Sequence, residues 1–278
     1  MNFKKVNNIS GWIICLIACM VYILTMEASG SFWDCGEFVS SAYKLQIPHP
    51  PGAPLFVMMG RFFIILFGDN PMTAARAVNF MSAILSGFTI LFLFWSITHF
   101  ARKIIQKNAL VLDSQQIFTI MAAGAVGALA YTFCDSFWYS AVEGEVYGSS
   151  SFFTALVFWA ILKWEDEAEK PEADRWIIFI FYMMGLSIGV HLLNLLTIPA
   201  IVMVYYYKRY TPTAWGSVFA FFIGCVITGL IQKFVIQYTI KGAAWFDILF
   251  VNNFNLPFFS GFAFFFIDFL RFVFFEWL

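Results

Sequence analysis

Two carboxylates set three residues apart, Asp34 and Glu37 in W-D-C-G-E-F (33–38), are the first groups in this chain that could do chemistry. On a helix that spacing puts both acids on one face. Two acids held close at a low-dielectric boundary repel, so one of them can hold its proton to higher pH, as a general base working near neutrality requires. The plainer reading is a pair of solvated loop acids that keep the segment out of lipid. Gly36 between them and Trp33 before them tilt the balance towards a site. Pro48-His49-Pro50-Pro51-Gly52 follows and cannot be helical, because each proline removes a donor and pushes its predecessor to extended backbone. It is a rigid corner whose His49 either donates to an anion or is merely solvated.

Further candidates are spread along the chain. Arg76 stands at the start of a long apolar run, where a guanidinium can grip a lipid phosphate bidentately or simply snorkel to headgroups. Arg61 carries the same two readings in a weaker place. D-S-F-W-Y-S-A-V-E-G-E-V-Y (135–147) combines acids with flat aromatic rings, a composition that suits sugar hydroxyls and also an ordinary aromatic belt. Its Glu143 and Glu145 share a face only in extended backbone, with Tyr147 just beyond. His191 and Asn194 lie at a break in another apolar stretch; broken helices line cavities, although a lone histidine there is more often a packing residue. No phosphate-binding glycine loop, nucleophile elbow or HExxH is present. Neither the three histidines nor the five cysteines have metal-ligand spacing, and the cysteines read as small apolar fillers.

The elements that must position these groups are membrane helices. The chain is 61% hydrophobic and 12% charged, against about a half and a quarter in a soluble domain. Its net charge of −1 leaves no nucleic-acid footprint. A helix needs roughly 20 apolar residues to cross the hydrocarbon core. On that measure about eight spans are expected. They are Ile9 to Met26, Pro71 to Phe100, Ile117 to Cys134 and Tyr147 to Trp164, two short ones meeting near His191 within Trp176 to Tyr207, Ala214 to Ile231, and one from Phe262 onward. The short apolar run Leu55 to Phe67 is expected to lie on or dip into the outer leaflet. Lysine and arginine collect on the cytoplasmic side. Threading the N-terminus inside places Lys4, Lys5, Arg102, Lys103, Lys107, Lys163, Lys170, Arg175, Lys208 and Arg209 there, a bias of roughly two to one over Lys44, Arg61, Arg76, Lys233 and Lys241. The fold class is an all-α polytopic bundle. Residues 1–278 form one transmembrane domain whose first outer loop, about 27–70, carries the site.

Four blocks, W-D-C-G-E-F (33–38), H-P-P-G-A-P-L (49–55), V-E-G-E-V-Y (142–147) and G-L-S-I-G-V-H-L-L-N-L-L-T-I-P (185–199), resemble the DUF2723 family and, more broadly, membrane glycosyltransferases of the GT-C fold such as the protein O-mannosyltransferases. The resemblance implies a polyprenyl-phosphate sugar as donor, mannose as the sugar, a protein hydroxyl as acceptor and inversion at the anomeric carbon. It implies a bacterial inner membrane, a site facing the periplasm, and a further soluble region beyond the membrane part. On that reading Asp34 is the base and Glu37 orients the acceptor or tunes Asp34. Arg76, His49 and then Arg61 meet the donor phosphate, while Glu143, Glu145, Tyr147, His191 and Asn194 meet sugar or acceptor. The resemblance fixes no cofactor and leaves metal dependence open, since the two carboxylates could hold a divalent cation. Transfer to a lipid or envelope glycan, a lipid-linked-sugar transporter and a non-enzymatic assembly subunit remain as alternatives. A transporter would hold its acids near the bilayer midplane.

Overall fold

One long helix organises most of the chain. The computed structural model describes residues 2–106 and 111–275, so Lys107 lies outside the described residues. Two compact units result, 1–212 and 213–278, and no strand occurs among the described residues.

In the first unit the central helix α4 runs Pro71–Gln106. Its buried positions recur from Ala74 to Thr98 on more than one face, as expected of a helix packed all round. Around it stand α1 (Phe3–Thr25), α5 (Ser114–Thr132) and α7 (Val146–Glu167). The chain starts α1 with Asn2, whose side chain accepts from Lys5 N, and starts α5 with Asp113 and Gln116 in a capping box. Tyr22 is fully buried, and its hydroxyl donates to Thr132 O at 2.9 Å, tying the ends of α1 and α5 together. Smaller elements complete the unit: α2 (Cys35–Lys44), α3 (Pro54–Leu66), α6 (Asp135–Val142), α8 (Asp174–Ile188), a 3-10 turn (Leu192–Thr197) and α9 (Ile198–Arg209).

Among the described residues four helices are long and apolar enough to cross a membrane: α1, α4, α7 and the continuous helix Ala214–Phe254. Counting α5 and α6, bent by 67°, as one span makes five. The expected eight are therefore not reached by length and composition. The break near His191 is present, but α8 has 15 residues and α9 has 12, each short of a span. The segment between the expected spans ending at Cys134 and starting at Tyr147 is a helix, because Phe137, Ala141 and Val142 fall on one side and enter the core.

The second unit contains α10 (Ala214–Leu230), a π-helical stretch (Ile231–Tyr238), α11 (Thr239–Phe254) and α12 (Ser260–Phe275). The first three form one helix of 41 residues, about 60 Å long at 1.5 Å per residue. The π stretch interrupts it near its middle. Phe246 and Phe250 of α11 meet Phe264 of α12, and Asp247 accepts from Gly261 N at 3.2 Å where α12 begins.

The charges of the first unit separate along its length. Arg102 donates to Asp166, His99 meets Glu165 at 3.2 Å, Lys103 pairs with Glu165, Arg175 with Glu167, and Lys208 with Glu169. Those pairs gather where α4 and α7 end. The acids of residues 34–37 and 143–145 lie where α4 and α7 begin.

Candidate active site

The helix α2 buries Cys35, Phe38, Ser41 and Ala42, an i, i+3, i+6/i+7 stripe that faces the core. Its Phe38 ring packs against Phe56 and against His49, with centroids 5.4 Å and 5.7 Å away. That leaves Asp34 and Glu37 on the open side. His49 then joins them: its backbone N–H donates to Glu37 Oε1 at 2.6 Å, and its ring Nδ1 meets Oε2 at 2.9 Å. The other ring nitrogen, Nε2, is 4.0 Å from Asp34 Oδ2. Side-chain exposures of 51% for Asp34, 40% for Glu37 and 46% for His49 leave all three open to a ligand.

The histidine corner is built to reach back. Gly52 N donates to His49 O at 2.9 Å across a cis Pro50–Pro51 bond. Immediately after it, Leu55 N and Phe56 N both donate to Gly189 O, at 2.7 and 3.3 Å. The first turn of α3 thus spends its free donors on the carbonyl that ends α8. A β-carbon on Gly189 would stand 2.9 Å from Leu55 Cβ, so the contact needs glycine. Non-glycine residues hold left-handed backbone nearby: Trp33 at φ 61°, Leu45 at 51° and Ala53 at 35°. Such conformations cost on the order of 1–3 kcal/mol each and cluster at functional sites. Trp33, beside Asp34, is 93% exposed.

A second acid set adjoins the first. Glu143 (ψ 157°) and Glu145 (ψ 160°) are both extended, the geometry that lets their side chains share a face. Both converge on the buried Cys35 thiol, the three ligand atoms lying within 4.8 Å of one another. Burial and the two glutamates push Cys35 up to about 12, so its proton stays on. Burial, then Glu143 and Asp34, raise Glu145 above the ordinary carboxylate range. Hydrogen bonds from His49 hold Glu37 below that range, while the Glu37 contact raises His49. The Asp34–Glu37–His49 atoms also lie within 4.8 Å of one another. Oxygen-rich sets of this kind fit a hard cation, although the Glu37–His49 contact would have to open and the thiol is a poor ligand for one.

Asn79 of α4, 1% exposed, anchors this corner: its Nδ2 donates to Glu27 O at 2.8 Å and Ser29 O at 3.1 Å. Its Oδ1 would be 2.9 Å from a β-carbon on Gly144, so the two glutamates sit directly over it. Neither Asn79 nor Cys35 was singled out by sequence. A polar residue inside an apolar run is the signal for Asn79. For Cys35 nothing local announced this contact, since Glu143 and Glu145 are far along the chain.

The remaining candidates divide. Tyr147 sets its ring on His191, centroids 5.4 Å apart. His191 Nδ1 accepts from Leu193 N at 3.1 Å, which leaves the proton of a neutral ring on Nε2, and burial lowers its pKa. Asn194 is fully buried and committed, donating to Ser187 Oγ at 2.9 Å and accepting from Thr197 Oγ1 at 3.3 Å. Arg61 is committed too: it grips Asp69 through both terminal nitrogens, at 2.5 and 3.1 Å, and donates to Tyr43 O. Arg76 is exposed and makes no ion pair among the described residues, Asp34, Glu37 and His49 included.

The four sequence blocks therefore close a ring at one end of the first unit. Asp34 adjoins Glu145, Tyr147 meets His191, the turn at Gly189 holds Leu55, and His49 returns to Glu37. Together these features define a helical membrane protein carrying an open acid–imidazole cluster at the end of its bundle. The chain belongs to the family described as Protein O-mannosyl-transferase TMEM260 N-terminal domain, whose family model matches residues 34–214. It is 24% identical over 209 residues to the Protein O-mannosyl-transferase tmem260 of Dictyostelium discoideum, covering 71% of this chain and 23% of that protein. It is 24% identical over 168 residues to the mouse (Mus musculus) protein of that name, covering 60% of this chain and 21% of that one. The match thus spans less than a quarter of either curated relative. No solved structure matches the chain.

Proposed function

We propose that this chain is the membrane part of a glycosyltransferase of GT-C type, allied to DUF2723 proteins, that moves mannose from a polyprenyl-phosphate donor to a protein hydroxyl on the outer face of a bacterial inner membrane. The observation that carries the proposal is the open cluster of Asp34, Glu37 and His49 beside Glu143 and Glu145, outside the candidate spans and away from the basic end. A transporter would need its acids at mid-membrane. The relatives' printed names supply the sugar and the acceptor class.

In this reading an Asp34 carboxylate oxygen takes the proton of the acceptor hydroxyl. The freed oxygen attacks the anomeric carbon from the face opposite the lipid phosphate. The bond from that carbon to the phosphate oxygen breaks, the electron pair leaves with the polyprenyl phosphate, and the configuration inverts. Glu37 fixes His49, which places a cation beside Asp34 and balances the crowded acids. Arg76, which makes no ion pair among the described residues, meets the departing phosphate. Glu143 and Glu145 bind sugar or acceptor hydroxyls, with the Tyr147 ring as a wall. A divalent cation on the acids is part of the proposal only where chelation removes turnover.

The test is turnover with polyprenyl-phosphate mannose, read as released polyprenyl phosphate. Asp34→Asn should lower it at least about a hundredfold, the usual scale of general-base catalysis, with an unchanged thermal unfolding curve. Retained turnover removes Asp34 as the base.

A further inference from the structure

At the opposite end of the first unit lies a cavity of about 360 Å³ between the start of α1 and the ends of α4 and α7. Such a volume falls in the range of small-ligand sites, about 300–1,000 Å³. Lys4, Arg102 and Lys163 line it, together with Trp95, Trp159 and Asn7. The charge there is unbalanced. Arg102 is satisfied by Asp166 through Nη2, and His99 by Glu165 and Asp166. Asp166 lines it too, one carboxylate against those three cations. Lys4 and Lys163 make no ion pair among the described residues; Lys163 lies over the face of Trp159, 5.4 Å away. Hydrogen bonding there is incomplete as well. Asn7 Oδ1, Trp95 Nε1 and Arg102 Nε are shielded from solvent and have no hydrogen-bond partner. Buried polar atoms are rarely left so, and here three fall on residues lining one cavity. Two of the three are N–H donors, and the Lys4 and Lys163 ammonium groups line the same cavity.

We infer that this cavity binds a phosphate group, that of an anionic lipid headgroup from the membrane leaflet at the basic end or a free phosphate. An anion between Lys4 and Lys163 would balance both charges and offer oxygens to the Arg102 Nε–H. The indole walls would cover the ester or glycerol part. Basic pockets between spans on the cytoplasmic side are the usual setting for such headgroups. The inference does not depend on the transfer reaction proposed above, whose groups lie at the other end of the unit.

The test is a titration of the purified protein in neutral detergent, following tryptophan emission. Phosphatidylglycerol, phosphatidylcholine and sodium phosphate are added in separate arms. Phosphatidylglycerol should give a saturable change that phosphatidylcholine does not. If sodium phosphate also saturates and competes, the phosphate alone is sufficient; if it does not, the lipid is the ligand. The double variant K4Q/K163Q should weaken binding about tenfold or more, since each lost contact is charge-assisted. K5Q, at the same end but outside the cavity, should bind as the unaltered protein does. Three results would overturn the inference: equal response to the two lipids with no response to phosphate, an unaltered affinity in K4Q/K163Q, or an equal loss in K5Q. The lipid and phosphate arms use the unaltered protein, so they decide the matter even where the double variant is unstable.

Discussion

At the residue scale, two histidines at one end of the first unit are shifted in opposite directions. Glu37 and then Asp34 favour the charged form of His49, whereas burial favours the neutral ring of His191. The first gives a pH signature. His49 is raised from its ordinary 6.5, so its share of stability is complete below 6.5 and is lost as pH climbs through the raised value. Glu37 is lowered from 4.5, so its share is complete above 4.5 and is lost as pH falls through the lowered value. Between 4.5 and 6.5 the pair is intact. The melting temperature of the unaltered protein should therefore decline on the alkaline side of that window relative to His49→Gln, whose profile should lack the step. Thermal scans in a pH series check this; parallel profiles would mean that the Glu37 contact does not form in solution. The effect is small, because the groups are exposed and solvent screens them.

At the element scale, the cluster stays together because short elements are pinned to the long helix α4. Asn79 holds residues 27–29, and Gly144 lies against the Asn79 amide. Gly144→Ala would bring a methyl to 2.9 Å from Oδ1 and 3.0 Å from Val78 Cγ1. The expected cost is about 1–3 kcal/mol, as for overpacking, and turnover should fall with it because Glu143 and Glu145 must move. Asn79→Ala removes two part-buried hydrogen bonds and should cost about 1–3 kcal/mol. Denaturant unfolding in detergent measures both. An Asn79→Ala protein as stable as the parent would mean that the 27–29 segment is held by other contacts. Sequence reasoning located α5 and α7 to within three residues and α1 and α4 with one end each six residues short, since a long apolar run has few alternatives. It did not find α6, whose apolar residues are too few for a span and are interleaved with acid and serine.

At the scale of the whole molecule, charge separates along the first unit, with ion pairs and free lysines at one end and the acid cluster at the other. Threaded by the positive-inside rule, residues 49 and 170 should face opposite sides. Single cysteines at those places, His49→Cys and Lys170→Cys, with the exposed Cys134 and Cys225 replaced by serine, should react with an impermeant maleimide from opposite faces of sealed vesicles. Labelling of both from one face would remove the topology on which the outer-face reaction rests. Composition alone made this a helical membrane chain, because bilayer thickness and hydrophobicity leave little choice of structure. Spacing alone brought Asp34 and Glu37 to one face, since a helix turn is local. Everything that crosses between distant segments was decided by packing: His49 on Glu37, Glu143 and Glu145 over Cys35, Leu55 on Gly189 and Asn79 under Gly144. The same holds for Arg61, which reads as a free cation in one dimension and is locked to Asp69 in three. Such contacts join residues far apart in the chain, and no periodicity records which distant partner a side chain will meet.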